Sequence, residues 1–268
     1  MVVIMQMDLV RRIRTLLDRL AASRRLDSDA QEEIGDQVAT EARLLPREGI
    51  VGALDKAVGR NKRRREESVY LLCEWTDVPD VVDRMCAWLD DPDPKWRSWI
   101  VQTAGSRQLA QLAPAICGII ERDPDEFCRD AAIHAAATLK ASACLPAILR
   151  LAAAGDPTLT WRLATALKSY ATEECRPHLL RWFNDVSLGK STRIFAAWGL
   201  GRLGDVAAVE HLVAMLDDPD QRGEKFFYPG ESLRAAQALC DLHDWPFEWN
   251  SSQVARTKLW ISRKRAGA

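Results

Sequence analysis

The chain has almost no net charge: 37 basic residues stand against 38 acidic ones, leaving −1. Such a balance gives no global attraction to nucleic acid or to an anionic membrane. No apolar run approaches the roughly 18 residues that a spanning helix needs, so no membrane span is expected. The opening residues, Met1-Val-Val-Ile-Met-Gln-Met7, are apolar but short. Without a basic leader or a cleavage site, they are not read as a secretion signal. Seven cysteines include no C-x-x-C pair, and several, such as Cys117 and Cys144, stand where small apolar residues fit. They read as reduced core thiols of a cytoplasmic protein, and zinc is not expected.

Histidine is also scarce. His134, His178, His211 and His243 form no His-x-x-x-His or His-Glu pair, so neither a metal site nor a catalytic group is assigned, and no cofactor is expected. Gly199-Leu-Gly201-Arg-Leu-Gly204 fits a dinucleotide-binding pattern only formally. It lies inside an expected helix, with no strand before it and no phosphate-cradling turn.

What is present is a period. Arg65, Arg97, Arg129, Thr160, Arg193 and Ser232 are spaced by 32, 32, 31, 33 and 39 residues. A constant step of this size marks stacked helical units. Six and seven residues beyond each register position stand Leu71-Leu72, Thr103-Ala104, Ala135-Ala136, Ala166-Leu167, Gly199-Leu200 and Ala238-Leu239. Ten beyond stand Trp75, Arg107, Leu139, Tyr170, Leu203 and Leu242. Offsets of three, seven and ten share one helical face, so each unit opens with an amphipathic helix.

A second helix follows in each unit, with apolar stripes such as Leu145, Ile148, Leu149, Ala152 and Val209, Leu212, Val213, Leu216. Pro114, Pro146 and Pro177 share offset seventeen, the first turn of that helix, where a missing N–H costs little. Asp93, Asp125 and Asp156 each lie four residues before the register position. With the Asp-Pro pairs at 91, 123, 156 and 218 they read as stop-and-cap signals. One such unit could not fold alone, since burying a leucine yields roughly 1.5–3 kcal/mol against about 1–2 kcal/mol to order each residue.

The stretch Arg193-Ile-Phe-Ala-Ala-Trp-Gly-Leu-Gly-Arg-Leu-Gly-Asp205 resembles the bacterial HEAT-like repeat family, the type first described in phycobilisome lyases. Ser232 to Asp244 resembles a second copy, whereas Arg162 and Arg234 stand two places past the register position and depart from the pattern. The resemblance implies an all-α fold, an α-solenoid of about five to six two-helix repeats acting as a scaffold. Fold likeness is a poor warrant for activity. Iron-dependent hydroxylases on related repeats use His-Glu ligand pairs, which this chain lacks. Bilin attachment would follow from the family, but no residue singles it out.

The expected organisation is an N-terminal helical cap over 1–60, repeats over 61–250 with an insertion at 217–231, and a basic C-terminal helix or tail over 251–268. The cap would hold Leu9, Ile13, Leu16, Leu17 and Leu20 on one helix and Ile34, Val38, Ala42 and Leu45 on another. A short third helix with Ile50, Leu54 and Val58 would follow the break at Pro46 and Gly49.

In such stacks the second helices line the inner curve, and offsets eighteen and twenty-one point away from the core. That strip gives Asp83, Ala147, Arg150, His178, Arg181 and His211, with Glu210 beside the last. The insertion carries Phe226, Phe227 and Tyr228 in a polar, turn-rich segment, the kind of anchor that interfaces use. These nine residues, Ala147 excepted and Tyr228 included, form the candidate partner-binding set.

The leading expectation is a non-catalytic protein-binding scaffold, whether adaptor, assembly factor or immunity-type inhibitor, gripping another protein. The alternative is a nucleic-acid binder or a DNA-repair glycosylase of the HEAT-like type. Its features would be the basic run Arg60 to Arg65, the basic tail, and Arg150, Arg181, Trp182 and Asp185. The neutral net charge disfavours it.

Overall fold

The computed structural model describes residues 2–218, 230–250 and 252–267. The α-solenoid class expected from the repeat is observed: fifteen α-helices and no strand among the described residues. They run α1 (Val2–Ser23), α2 (Ser28–Arg43), α3 (Ile50–Val58), α4 (Lys62–Cys73), α5 (Pro79–Trp88), α6 (Pro94–Ser106) and α7 (Ala113–Arg122). Then follow α8 (Glu126–Thr138), α9 (Leu145–Ala154), α10 (Thr160–Tyr170), α11 (Arg176–Asn184) and α12 (Lys190–Arg202). The series ends with α13 (Val206–Met215), α14 (Glu231–Leu242) and α15 (Ser252–Ala266). The chain divides into two compact units, Met1–Ala115 and Ile116–Ala268.

In the N-terminal unit, α1 buries Leu9, Ile13, Leu16, Leu17 and Leu20 and packs on α2, α3 and α4. Gly49 takes a left-handed φ of 67° at the start of α3, a conformation that costs glycine little. Trp75, ten residues past its register position, donates its indole N–H to the Ala42 carbonyl at 2.9 Å. Tyr170 occupies the same offset in the C-terminal unit, and its hydroxyl bonds the Ala136 carbonyl at 2.9 Å. The residue at this offset thus reaches back to α2 in one unit and to α8 in the other.

In the C-terminal unit the first helices α8, α10, α12 and α14 pack side by side, and α11 and α13 cover α12. Small residues permit the approach. A methyl group on Gly199 would meet Leu179 Cδ1 at 2.8 Å and the Lys168 backbone at 3.1 Å. Ala135, Ala136, Ala166, Leu167, Leu200, Ala238 and Leu239 are all buried, as their columns predict.

Helix starts follow the aspartates only in part. Asp93 accepts from the Lys95 N–H at 3.0 Å and Asp125 from the Cys128 N–H at 2.9 Å, capping α6 and α8. Asp156 does not cap α10. It accepts from the Thr158 N–H and hydroxyl, and α10 begins at Thr160, after Leu159. Its carboxylate closes a turn instead.

Helix ends reveal a second periodic device. Eleven residues past the register position, Gln108, Lys140, Ala171 and Gly204 all adopt φ between 45° and 82°. The next N–H then bonds back five residues: Leu109 to Ala104, Ala141 to Ala136 and Asp205 to Leu200. These 6→1 bonds satisfy carbonyls that a helix end would otherwise leave bare. The register arginines fasten the connections: Arg97 donates to the Asp91 carbonyl and Arg129 to the Asp123 carbonyl, both at 2.7 Å. Their role is structural.

Candidate functional site

The second helices place the sequence-selected strip. Asp83 is exposed on α5 of the N-terminal unit, where its charge helps burial raise the Cys86 thiol. Arg150, His178, Arg181, Glu210 and His211 lie on α9, α11 and α13 of the C-terminal unit. Ala147, expected to face outward, is 2% exposed, because α9 turns that position into the core. Phe226, Phe227 and Tyr228 fall outside the described residues.

Within the C-terminal unit the strip is laced from helix to helix. Arg150 on α9 pairs with Glu121 on α7. Arg181 on α11 donates to the Ala152 carbonyl at 2.6 Å, adding a cation to the negative end of α9. His211 on α13 meets Phe183 on α11 edge to face, with ring centroids 5.2 Å apart. Glu210 pairs with Arg265 on α15. Burial, then the neighbouring guanidinium, lowers both imidazoles: Arg181 acts on His178 and Arg193 on His211. Both rings are therefore held toward the neutral form.

Sequence reasoning missed a denser arrangement on the first helices of this unit. Trp161 meets Phe195 at 5.9 Å, and Phe195 stacks on Trp198 at 6.5 Å. Lys168 Nζ sits 3.7 Å from the Trp198 ring centre, a cation–π contact. Asp241 accepts from the Trp198 indole at 2.6 Å and from Arg202 Nε and Nη2, both at 2.9 Å. Burial, then Arg202, pushes the Lys168 ammonium down to about 8, while Asp241 opposes this. Arg202 and Asp241 share one repeat offset, but Trp161, Phe195, Trp198 and Lys168 each stand at another, so no single column brought the cluster together.

The N-terminal unit holds a second aromatic cluster. Trp96 lies 5.4 Å from Trp88 and 5.1 Å from Trp99, in edge-on geometry, and Arg65 stands over Trp96 at 4.3 Å. Of the basic run, Arg64 grips Asp18 with two bonds and Arg65 pairs with Asp91. Two of the five cations in that run are thus engaged in the fold. The residues proposed for a glycosylase are spent likewise: Trp182 is buried, and Asp185 accepts from the Ser187 N–H and hydroxyl.

All seven cysteines are free. Burial pushes Cys73 up to about 11 and Cys144 up to about 12, so both stay protonated at neutral pH. Among the described residues, no group of three or more metal-ligating side chains assembles, and no helix is long and apolar enough to cross a membrane.

The solved structure of human deoxyhypusine hydroxylase in complex with glycerol is similar over 89% of this chain and 98% of that chain, at 13% identity and a TM-score of 0.32. The search of curated proteins gives no match. The family model for HEAT repeats matches residues 53–137 and 144–224, well over half of the sequence. With the period, the paired helices and this match in agreement, the chain belongs to the HEAT-repeat family.

Proposed function

We propose that the protein is a non-catalytic scaffold that binds another protein through the second-helix strip of its C-terminal unit. The observation that carries this reading is the lacing of the strip: Arg150, Arg181, Glu210 and His211 are each held by a neighbouring helix. Side chains fixed before binding lose less rotamer freedom when a partner arrives, which lowers the cost of association. His178 and His211 add polar groups on an apolar ring body, suited to a contact that excludes water.

The finer assignments belong to the same proposal. The partner also touches the loop bearing Phe226, Phe227 and Tyr228. The role is that of an adaptor, assembly factor or immunity-type inhibitor. Free thiols favour a cytoplasmic setting. The repeats are of the phycobilisome-lyase type, on the strength of the Arg193–Asp205 stretch.

A photo-crosslinking residue placed at 211 tests the reading in extract of the native host. A single protein should crosslink there and not from position 138 on the first-helix side. Capture should fall at least tenfold in His178→Ala/Arg181→Ala. Equal capture from both positions, or none lost in the double variant, would sink the assignment.

A further inference from the structure

Lys168 carries an amine that the protein-binding reading does not use. It lies half-buried in the last turn of α10, among the first helices of the C-terminal unit. Its Nζ stands 3.7 Å from the Trp198 ring centre and 5.6 Å from that of Phe195, both on α12. An ammonium ion gains a cation–π contact there, but that contact is weaker than the hydration it gives up.

The charged groups around it supply no counter-ion. On α8, Asp130 is held by Arg162 of α10 through two bonds. On α14, Asp241 is taken by the Trp198 indole and by Arg202 of α12. Arg234, also on α14, lies over Phe195 at 5.5 Å. His134 on α8 is held toward the neutral form by burial, then by Arg162. The negative end of α10 would steady a cation, but Arg202 Nη1 already donates to the Lys168 carbonyl at 3.1 Å.

Each of these features raises the energy of the charged amine and leaves the neutral one, with its lone pair, undisturbed. Desolvation beside other cations is how a lysine becomes a nucleophile near neutral pH. The value of about 8, lowered first by burial and then by Arg202 against the pull of Asp241, agrees with that geometry. At pH 7.5 roughly a quarter of such an amine is neutral, against about a thousandth for an ordinary lysine. Among the surrounding groups guanidiniums outnumber carboxylates, so an anionic reagent is favoured over a neutral one.

We propose that Lys168 is an acylation site, its amine taking the acyl group of an acyl phosphate drawn to the face of Arg162, Arg202 and Arg234. The lone pair of the neutral Nζ attacks the acyl carbon and a C–N bond forms. The C–O bond to phosphate breaks, inorganic phosphate leaves, and the amine proton passes to solvent. The amide product is uncharged, so the reaction removes the unfavourable ion from the aromatic face.

Treating the full-length protein with acetyl phosphate at pH 7.5, and following each lysine by peptide mass spectrometry, tests the site. Lys168 should acylate at least tenfold faster than the exposed Lys95 and Lys140. Its rate should level off above about pH 8, while theirs continue to climb. Added salt should slow Lys168 more than Lys95, since it screens the guanidiniums. Arg202→Met should slow Lys168 several-fold at pH 7.5 and move its midpoint to higher pH, with Lys95 unchanged. Circular dichroism confirms that the variant is folded; if it is not, the comparison of lysines within the parent protein still decides. Acylation of Lys168 no faster than of Lys95, or a rate that shows no plateau, overturns the proposal. Equal salt sensitivity at the two lysines overturns the role given to the guanidiniums.

Discussion

The two units treat their cations differently. In the C-terminal unit Arg162 pairs with Asp130, Arg202 with Asp241 and Arg150 with Glu121. Even Lys168, which lacks a carboxylate in contact, rests on an indole face. In the N-terminal unit Lys62 and Lys95 stand open at two helix starts beside a tryptophan-walled cavity. Ion pairs between helices stiffen the packing of both units, Arg64 with Asp18 and Arg84 with Asp55 among those of the N-terminal one. Net charge conceals the difference, because it sums over both.

Truncating the core sets the scale against which pairing is judged. Leu200 is 0% exposed on α12, so Leu200→Ala should cost about 2–5 kcal/mol in denaturant unfolding. An unchanged midpoint would mean the column is not a core column. The next effect isolates the C-terminal network. Asp241→Ala removes the acceptor of Trp198 and Arg202. The loss should be about 1–2 kcal/mol, reduced from a fully buried case because the pair is part-exposed. A neutral result would erase the contrast between the units.

The pH dependence sharpens the same contrast. Lys168 is pushed down to about 8 in the fold from an ordinary 10.5. Between those values the unfolded chain binds more protons than the folded one, so stability should rise with pH from about 8 to about 10.5. Lys168→Met should flatten that limb of a melting-temperature profile; a profile identical to the parent would contradict the burial. All four histidines are lowered as well, burial being the first cause in each. Acidification through the ordinary value of 6.5 should therefore destabilise the protein in the same sense, since the unfolded chain takes up protons first.

A smaller gain is expected from Lys140→Gly. Lys140 holds φ at 49°, which glycine adopts without strain. Thermal melting should show stabilisation by about 0.4–1 kcal/mol, and destabilisation would mean the left-handed end is not strained. The smallest effect belongs to the N-terminal cavity: Lys62→Ala and Lys95→Ala should each shift unfolding by no more than about 0.5 kcal/mol. A larger loss would assign these lysines to the fold.

The repeat was legible because a helix face repeats its residue types at fixed steps. The buried pairs at 71–72, 135–136, 166–167 and 238–239 and the prolines at 114, 146 and 177 stand where those steps put them. Asp156 was misread as a cap because its helix begins three residues later than its counterparts, after Leu159. The left-handed column escaped notice because Gln108, Lys140 and Ala171 occupy a conformation usually signalled by glycine. The strip residues could be selected by offset, yet their tethering to Glu121, the Ala152 carbonyl and Phe183 could not.

Local periodicity needs only neighbours along the chain, so the amino-acid order by itself determined that paired helices form and which faces they bury. Meetings between residues some thirty or more positions apart depend on how those faces dock. The contact of Lys168 with Trp198, the grip of Arg202 on Asp241 and the cavity of Lys62, Lys95 and Trp96 were therefore decided by tertiary structure alone. Each depends on the rotation of one helix against another, which a single helical repeat does not encode.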